Sequence, residues 1–204
     1  MRQAVLTFIA LLGTAAAYGA TTPEAAVTDC DRLAANPEDP DRLLPGLTRA
    51  QMDFPAAIAA CEAEIARQPS QQRLRYQLAR SLFYAGQNER AVAEMRKTAD
   101  SGYRQAQFVY GAMISNGRDK APTDICITER YWLSSARAGR QAARISYVRH
   151  VLKGRFDKCK VQASPQEMRN LLSSAAAEAR DYYERLLVED LIERFDSVGL
   201  KSRP

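Results

Sequence analysis

Ala106-Gln107-Phe108-Val109-Tyr110-Gly111-Ala112-Met113-Ile114-Ser115-Asn116-Gly117 is the stretch that decides the fold. Its spacing returns 37 residues later as Ala143, Tyr147, Val148, Val151 and Gly154, with the same offsets of 4, 5, 8 and 11 from the leading alanine. A pattern that recurs at fixed period marks helix pairs that cannot bury their apolar faces alone and therefore stack. The following helices agree as well, because Leu133-Ser134-Ser135-Ala136 recurs as Leu172-Ser173-Ser174-Ala175. The expected fold is all-α, an α-solenoid of antiparallel helix pairs, an architecture used for binding far more than for catalysis.

Outward from this stretch, Leu74, Leu78, Ala79, Leu82 and Phe83 fall at helical spacing over 71–86, and Ala91, Val92, Met95, Thr98 and Ala99 do so over 88–101. The next pairs are expected at 103–116 with 128–138 and at 141–153 with 165–178, and a capping helix at 180–195 packs Tyr183, Leu186, Leu187, Leu191 and Ile192. Gly86 and Gly102 close the first two helices, since the residue past a helix end often takes a left-handed conformation. Pro55 and Pro69 bracket an earlier helix with a narrow face of Ala56, Ile58, Ala59, Ala63, Ile65 and Ala66. Residues 20–54 read as an irregular lead-in, rich in proline and aspartate, with one helical turn over 29–35. The repeat domain follows from 55 to 204.

Residues 1–19 have the pattern of a signal peptide: Arg2, an apolar run from Ala4 to Ala17, and small residues at Ala17 and Gly19. Cleavage after Gly19 is the first choice, with Ala17 and Ala20 open. The apolar run is too short for a membrane span, which needs roughly 20 residues. No span is expected after cleavage, and the location is periplasmic or secreted. The four cysteines, Cys30, Cys61, Cys126 and Cys159, are an even set in an exported chain, which favours disulfides. The loops after Gly117 and Gly154 occupy equivalent places in successive repeats and carry Cys126 and Cys159, so these two should pair and leave Cys30 for Cys61. Four cysteines allow three connectivities. No close cysteine pairs and a single histidine argue against a metal site.

Charge is uneven: residues 20–70 carry net −5, residues 71–170 net +11 and residues 171–204 net −2. A basic middle between acidic ends either attracts an anionic partner or keeps solvated helix faces soluble, the simpler account. Nucleic acid is not expected, since no recognition motif is present.

The string Ala106-x-x-x-Tyr110-Gly111-x-x-Ile114-x-x-Gly117, followed by Tyr131-Trp132-Leu133-x-x-Ala136-x-x-Gly139, resembles the Sel-one-like repeat, a relative of the tetratricopeptide repeat. Residues 143–178 resemble a second copy, with Val148 and Glu178 where the pattern prefers glycine. Residues 75–102 look like an ordinary tetratricopeptide unit, with Arg75 in place of a small residue. The lead-in, with Cys30-Asp31-Arg32-Leu33 and later Ala60-Cys61, is similar to exported proteins of this type from alpha-proteobacteria. The resemblance implies an adaptor that holds a protein or peptide on a concave face lined by first helices; the chain is expected to be a monomer, and the basic middle is what would suit an acidic partner. It carries over no catalytic residue and no cofactor. On that face the candidate partner-binding residues are Gln77, Tyr84, Gln105, Asn116, Arg149 and Lys153, and ordinary solvated surface is the competing account of each.

Enzymatic signals are weak. His150 is the one histidine and sits off the apolar stripe of its helix, which suggests a surface position. Ser134, Ser135, Ser173 and Ser174 read as small residues at a helix contact, with no nucleophile elbow around them. Glu184, Glu189, Asp190 and Glu193 are spread around the last helix as solvated charge. Trp132 reads as core. The competing functional class is a cell-wall enzyme, or its inhibitor, acting through the loops near Cys126 and Cys159.

Overall fold

Glycine turns fold the chain into consecutive packed helices. The structure, a computed structural model, describes residues 26–117, 123–160 and 163–198, and all regular structure among the described residues is helical. The signal-peptide reading of residues 1–19 lies outside the described residues. The helices are α1 (Asp29–Ala34), α2 (Phe54–Arg67), α3 (Gln72–Tyr84), α4 (Asn88–Asp100), α5 (Arg104–Ser115), α6 (Ile125–Arg137), α7 (Gln141–Leu152), α8 (Pro165–Ala177) and α9 (Tyr182–Ser197), with a single 3-10 turn at Arg49–Gln51. No helix among the described residues is long and apolar enough to cross a membrane.

At the end of α3 the Gln87 N–H donates to the Leu82 carbonyl at 2.9 Å and the Gly86 N–H to that of Phe83 at 3.1 Å. This double closure needs a left-handed residue between the two bonds, and Gly86 supplies it at φ +77°. The same pair of bonds ends α4, α6 and α7 at Gly102, Gly139 and Gly154. Each helix packs mainly on its neighbours in sequence, and α9 lies on both α8 and α7.

Helix starts follow local chemistry. Asp53 caps α2 through Ala56 N–H at 3.1 Å, with Pro55 in the first turn, where its missing donor costs nothing. Asp124 accepts from Cys126 N–H at 2.8 Å and starts α6 at Ile125, three residues before the expected Thr128. The expected face of α2 is corrected too: Ala57, Ile58 and Cys61 are buried, whereas Ala59, Ala63 and Ala66 are exposed. The cause is the Cys30–Cys61 disulfide, which turns Cys61 toward α1 and α3. The second disulfide joins Cys126 to Cys159. Both bridges thus have the connectivity expected from the repeat, and they point to an oxidising environment outside the cytoplasm.

The capping helix buries Val188, Leu191 and Phe195 against α7 and α8, while Tyr183, Leu186 and Leu187 remain exposed. A stripe at i, i+3 and i+7 faces the body, and the expected trio lies to one side of it. Trp132 is core: it is 4% exposed, and its indole N–H donates to the Phe108 carbonyl at 2.9 Å. Gly111 makes room for it, since a Cβ at that position would meet Trp132 Cδ1 at 2.6 Å. In the second copy Val148 replaces this glycine and Leu171 stands in place of Trp132, so bulk moves from one helix to the other within the same core cluster.

Candidate binding face

The lead-in lies across the first helices. Its Asp31 carboxylate accepts from Arg73 Nε at 2.7 Å and Nη2 at 3.0 Å, from Gln77 Nε2 at 2.9 Å, and from both the backbone N–H and the hydroxyl of Thr28. Asn36 donates to the Tyr76 hydroxyl, and Arg80 donates to the carbonyls of Ala34, Ala35 and Leu47. Farther along, Asp39 accepts from the Tyr103 hydroxyl at 2.7 Å, Asp41 pairs with Arg104, and Glu38 reaches Arg180 at 3.1 Å. The acidic lead-in therefore neutralises part of the basic middle within the molecule.

Two of the six expected binding residues are covered by this arrangement, which corrects their assignment. Gln77 is fully buried against Asp31. Gln105 is 2% exposed, donates to the Tyr76 hydroxyl at 3.1 Å and accepts from Arg140. Both lie on first helices, but their polar groups are used inside the molecule. Polar pairing of this kind is what a buried amide requires.

The other four line two recesses at the surface. Tyr84 and Asn116 line a groove of about 230 Å³ between α3, α4 and α5, whose walls include Phe83, Met95, Val109 and Met113. The guanidinium carbons of Arg80 and Arg49 stand 5.0 and 5.5 Å from the centre of the Tyr84 ring. Arg149 and Lys153 line a second groove of about 440 Å³ between α7 and α9, with Leu152, Leu187, Leu191 and Val198. Ala112 and Asn116 in the first groove stand 37 residues before Arg149 and Lys153, so the same two register positions open onto a recess in each copy. The apolar lining was not singled out in the sequence, because Phe83 and Met113 follow the same helical stripe as the core.

Titration follows this burial. Asp31 would be raised by burial, but the hydrogen bonds from Arg73, Gln77 and Thr28 outweigh that and hold it at about 2, below its ordinary 3.8. Burial pushes the Tyr76 hydroxyl up to about 12 and raises the Asp39 carboxyl despite the bond from Tyr103. These groups serve the fold.

His150 is half-buried, more enclosed than a free surface position would be. Its ring meets Trp132 edge-on at 4.7 Å and stacks on Phe156 at 6.0 Å, and Nδ1 lies 2.8 Å from the Ser146 carbonyl. Burial lowers its pKa; the bond to Ser146 opposes the shift, while the charges of Arg155, Arg149 and Lys153 add to it. Of the four serines, only Ser135 is buried at a helix contact, where its hydroxyl donates to the Arg104 carbonyl at 2.6 Å; Ser134 and Ser173 are exposed. Near the Cys126–Cys159 bridge, Tyr147 donates to the buried Glu129 carboxylate at 2.8 Å. No group of three or more His, Cys, Asp or Glu side chains suited to a metal ion occurs among the described residues.

Compared with known proteins, the chain matches no family model, and no curated protein is significantly similar to it.

Proposed function

We propose that the chain is an exported, non-enzymatic adaptor of stacked helix pairs, of the Sel-one-like or tetratricopeptide type, that binds a protein partner in the cell envelope. The partner occupies the half of the first-helix face left open by the lead-in. The observation that carries this reading is the α3–α5 groove: it is lined by Phe83, Met95, Val109 and Met113, and it is open beside Tyr84 and Asn116. At about 230 Å³ it is smaller than the roughly 300–1,000 Å³ of small-molecule sites. That size suits one or two apolar side chains of a larger partner, anchored while the rim supplies polar contacts. The two disulfides support export, since such bridges persist in oxidising compartments.

Affinity capture from envelope extracts tests the reading. Val109→Glu and Asn116→Glu place charge at a partly exposed groove wall and rim, whereas Ala63→Glu changes the exposed side of α2. The first two should lose a specific protein that both the wild type and Ala63→Glu retain, with all melting temperatures similar. Retention of every captured protein by the groove variants would refute the proposed docking site.

A further inference from the structure

Most arginines in the described residues are answered by carboxylates: Arg73 by Asp31, Arg104 by Asp41, Arg137 by Glu167, Arg144 by Glu178 and Arg169 by Asp196. The stretch from 149 to 160 departs from this habit. Arg149, Lys153, Arg155, Lys158 and Lys160 are all exposed, and none of these five forms an ion pair among the described residues. Asp157 is the one acid in the stretch. Arg149, Lys153 and Arg155 are close enough to His150 for each to disfavour its charged form.

The stretch is also held in place. The Cys126–Cys159 disulfide fastens it to the start of α6, and Phe156 is buried beneath it. The backbone that carries these charges is therefore ordered before a ligand arrives, which leaves only the side chains to be immobilised on binding. Two of the five, Arg149 and Lys153, line the α7–α9 groove, where Leu187 is 38% and Val198 62% exposed. Its one carboxylate, Asp190, is already paired with Arg194 at 2.9 Å. The site therefore sets unpaired cations along one edge of an apolar recess. A flat anionic bilayer fits it poorly, because Glu189 and Glu193 are exposed on α9. A narrow chain is able to follow the end of α7 and its loop without crossing them.

We infer that this surface binds a segment of a protein partner in which acidic residues alternate with apolar ones. Its carboxylates meet Arg149, Lys153 and Arg155, and its apolar side chains enter the groove beside Leu187, Leu191 and Val198. The inference rests on the reading of the chain as a protein-binding module, and it gives that partner a chemistry.

The chain's one histidine and one tryptophan make it testable. His150, in contact with Trp132, reports on charge at the site through its proton resonance in untagged protein. The probe is a short synthetic peptide alternating Glu and Leu. Its uncharged counterpart alternating Gln and Leu, inorganic phosphate, and vesicles of anionic phospholipid are the comparisons. The Glu–Leu peptide should bind and raise the His150 titration by about half a unit, as nearby negative charge favours the imidazolium. Binding should weaken about tenfold or more in Arg149→Glu/Lys153→Glu, whose exposed positions leave the melting temperature unchanged, and should weaken with added salt. Arg32→Glu, an exposed change on α1, should bind as wild type does. Four results overturn the inference: no peptide binding, equal binding of the Gln–Leu peptide, an equal His150 shift with phosphate alone, or preference for the vesicles. If the acidic peptide fails while Val109→Glu still abolishes partner capture, this inference falls and the α3–α5 docking site stands.

Discussion

Removing the Asp31 carboxylate should unfasten the lead-in from the helices. Asp31→Ala leaves Arg73, which is 7% exposed, as a buried cation without its partner. Breaking a buried pair from one side costs about 3 to 5 kcal/mol, a large part of the roughly 5–15 kcal/mol that holds a typical domain together. The pH dependence gives a second estimate. Asp31 falls from 3.8 to about 2 on folding, so its charged form contributes about 2 kcal/mol. A depressed carboxylate stabilises fully above its unfolded pKa and loses that contribution as pH falls through the folded value. The loss therefore runs from near 3.8 down to about 2. Urea unfolding across this window should show a steep decline in the wild type and a shallower one in Asp31→Ala. The double variant Asp31→Ala/Arg73→Met should recover part of the loss, because no unpaired charge remains. A cost under about 1 kcal/mol at neutral pH would refute the ion pair as the anchor, as would parallel pH curves for wild type and variant.

Trp132→Ala should cost about 3 to 5 kcal/mol in thermal or urea unfolding, as expected for a buried aromatic. Gly111→Ala should cost about 1 to 3 kcal/mol by overpacking, and Trp132→Leu in the same chain should return part of it, since the added Cβ meets the indole ring at 2.6 Å. His150 is held below its ordinary 6.5 by burial. The unfolded chain thus binds the proton more readily, and stability should fall as pH drops below about 6.5; His150→Phe should flatten that slope in melting curves. Replacing Cys61 with alanine should cost about 2 to 5 kcal/mol and expose the lead-in to limited proteolysis before the rest of the chain.

The helix order was readable because its signals are local: helix spacing, terminal glycines and equivalent loops together gave that order and both disulfides. What the local pattern did not reveal was occupancy. Gln77 and Gln105 lie on first helices, yet one is taken by Asp31 and the other by Tyr76 and Arg140. Those partners are 46, 29 and 35 residues away in the chain. The acidic lead-in and basic middle were visible as opposite charge, and their meeting through Asp31–Arg73 and Asp41–Arg104 is a long-range pairing that no helical period encodes. His150 is more enclosed than its helix position suggests, for a related reason. Its own helix puts it off the stripe, but the loop after α7 brings Phe156 back over it. On α9, Tyr183, Leu186 and Val188 all scan as apolar, and only contact with α7 and α8 selects Val188 for burial.

Site-specific photocrosslinking measures the central claim most directly. A photoreactive side chain at Asn116 faces the α3–α5 groove, and one at Ser173 sits on the exposed side of α8. In envelope extracts the Asn116 probe should give a discrete protein adduct that disappears with Val109→Glu, and the Ser173 probe should not give it. The same adducts from both positions, or an Asn116 adduct unaffected by Val109→Glu, would contradict the claim that a partner docks on the open half of the first-helix face.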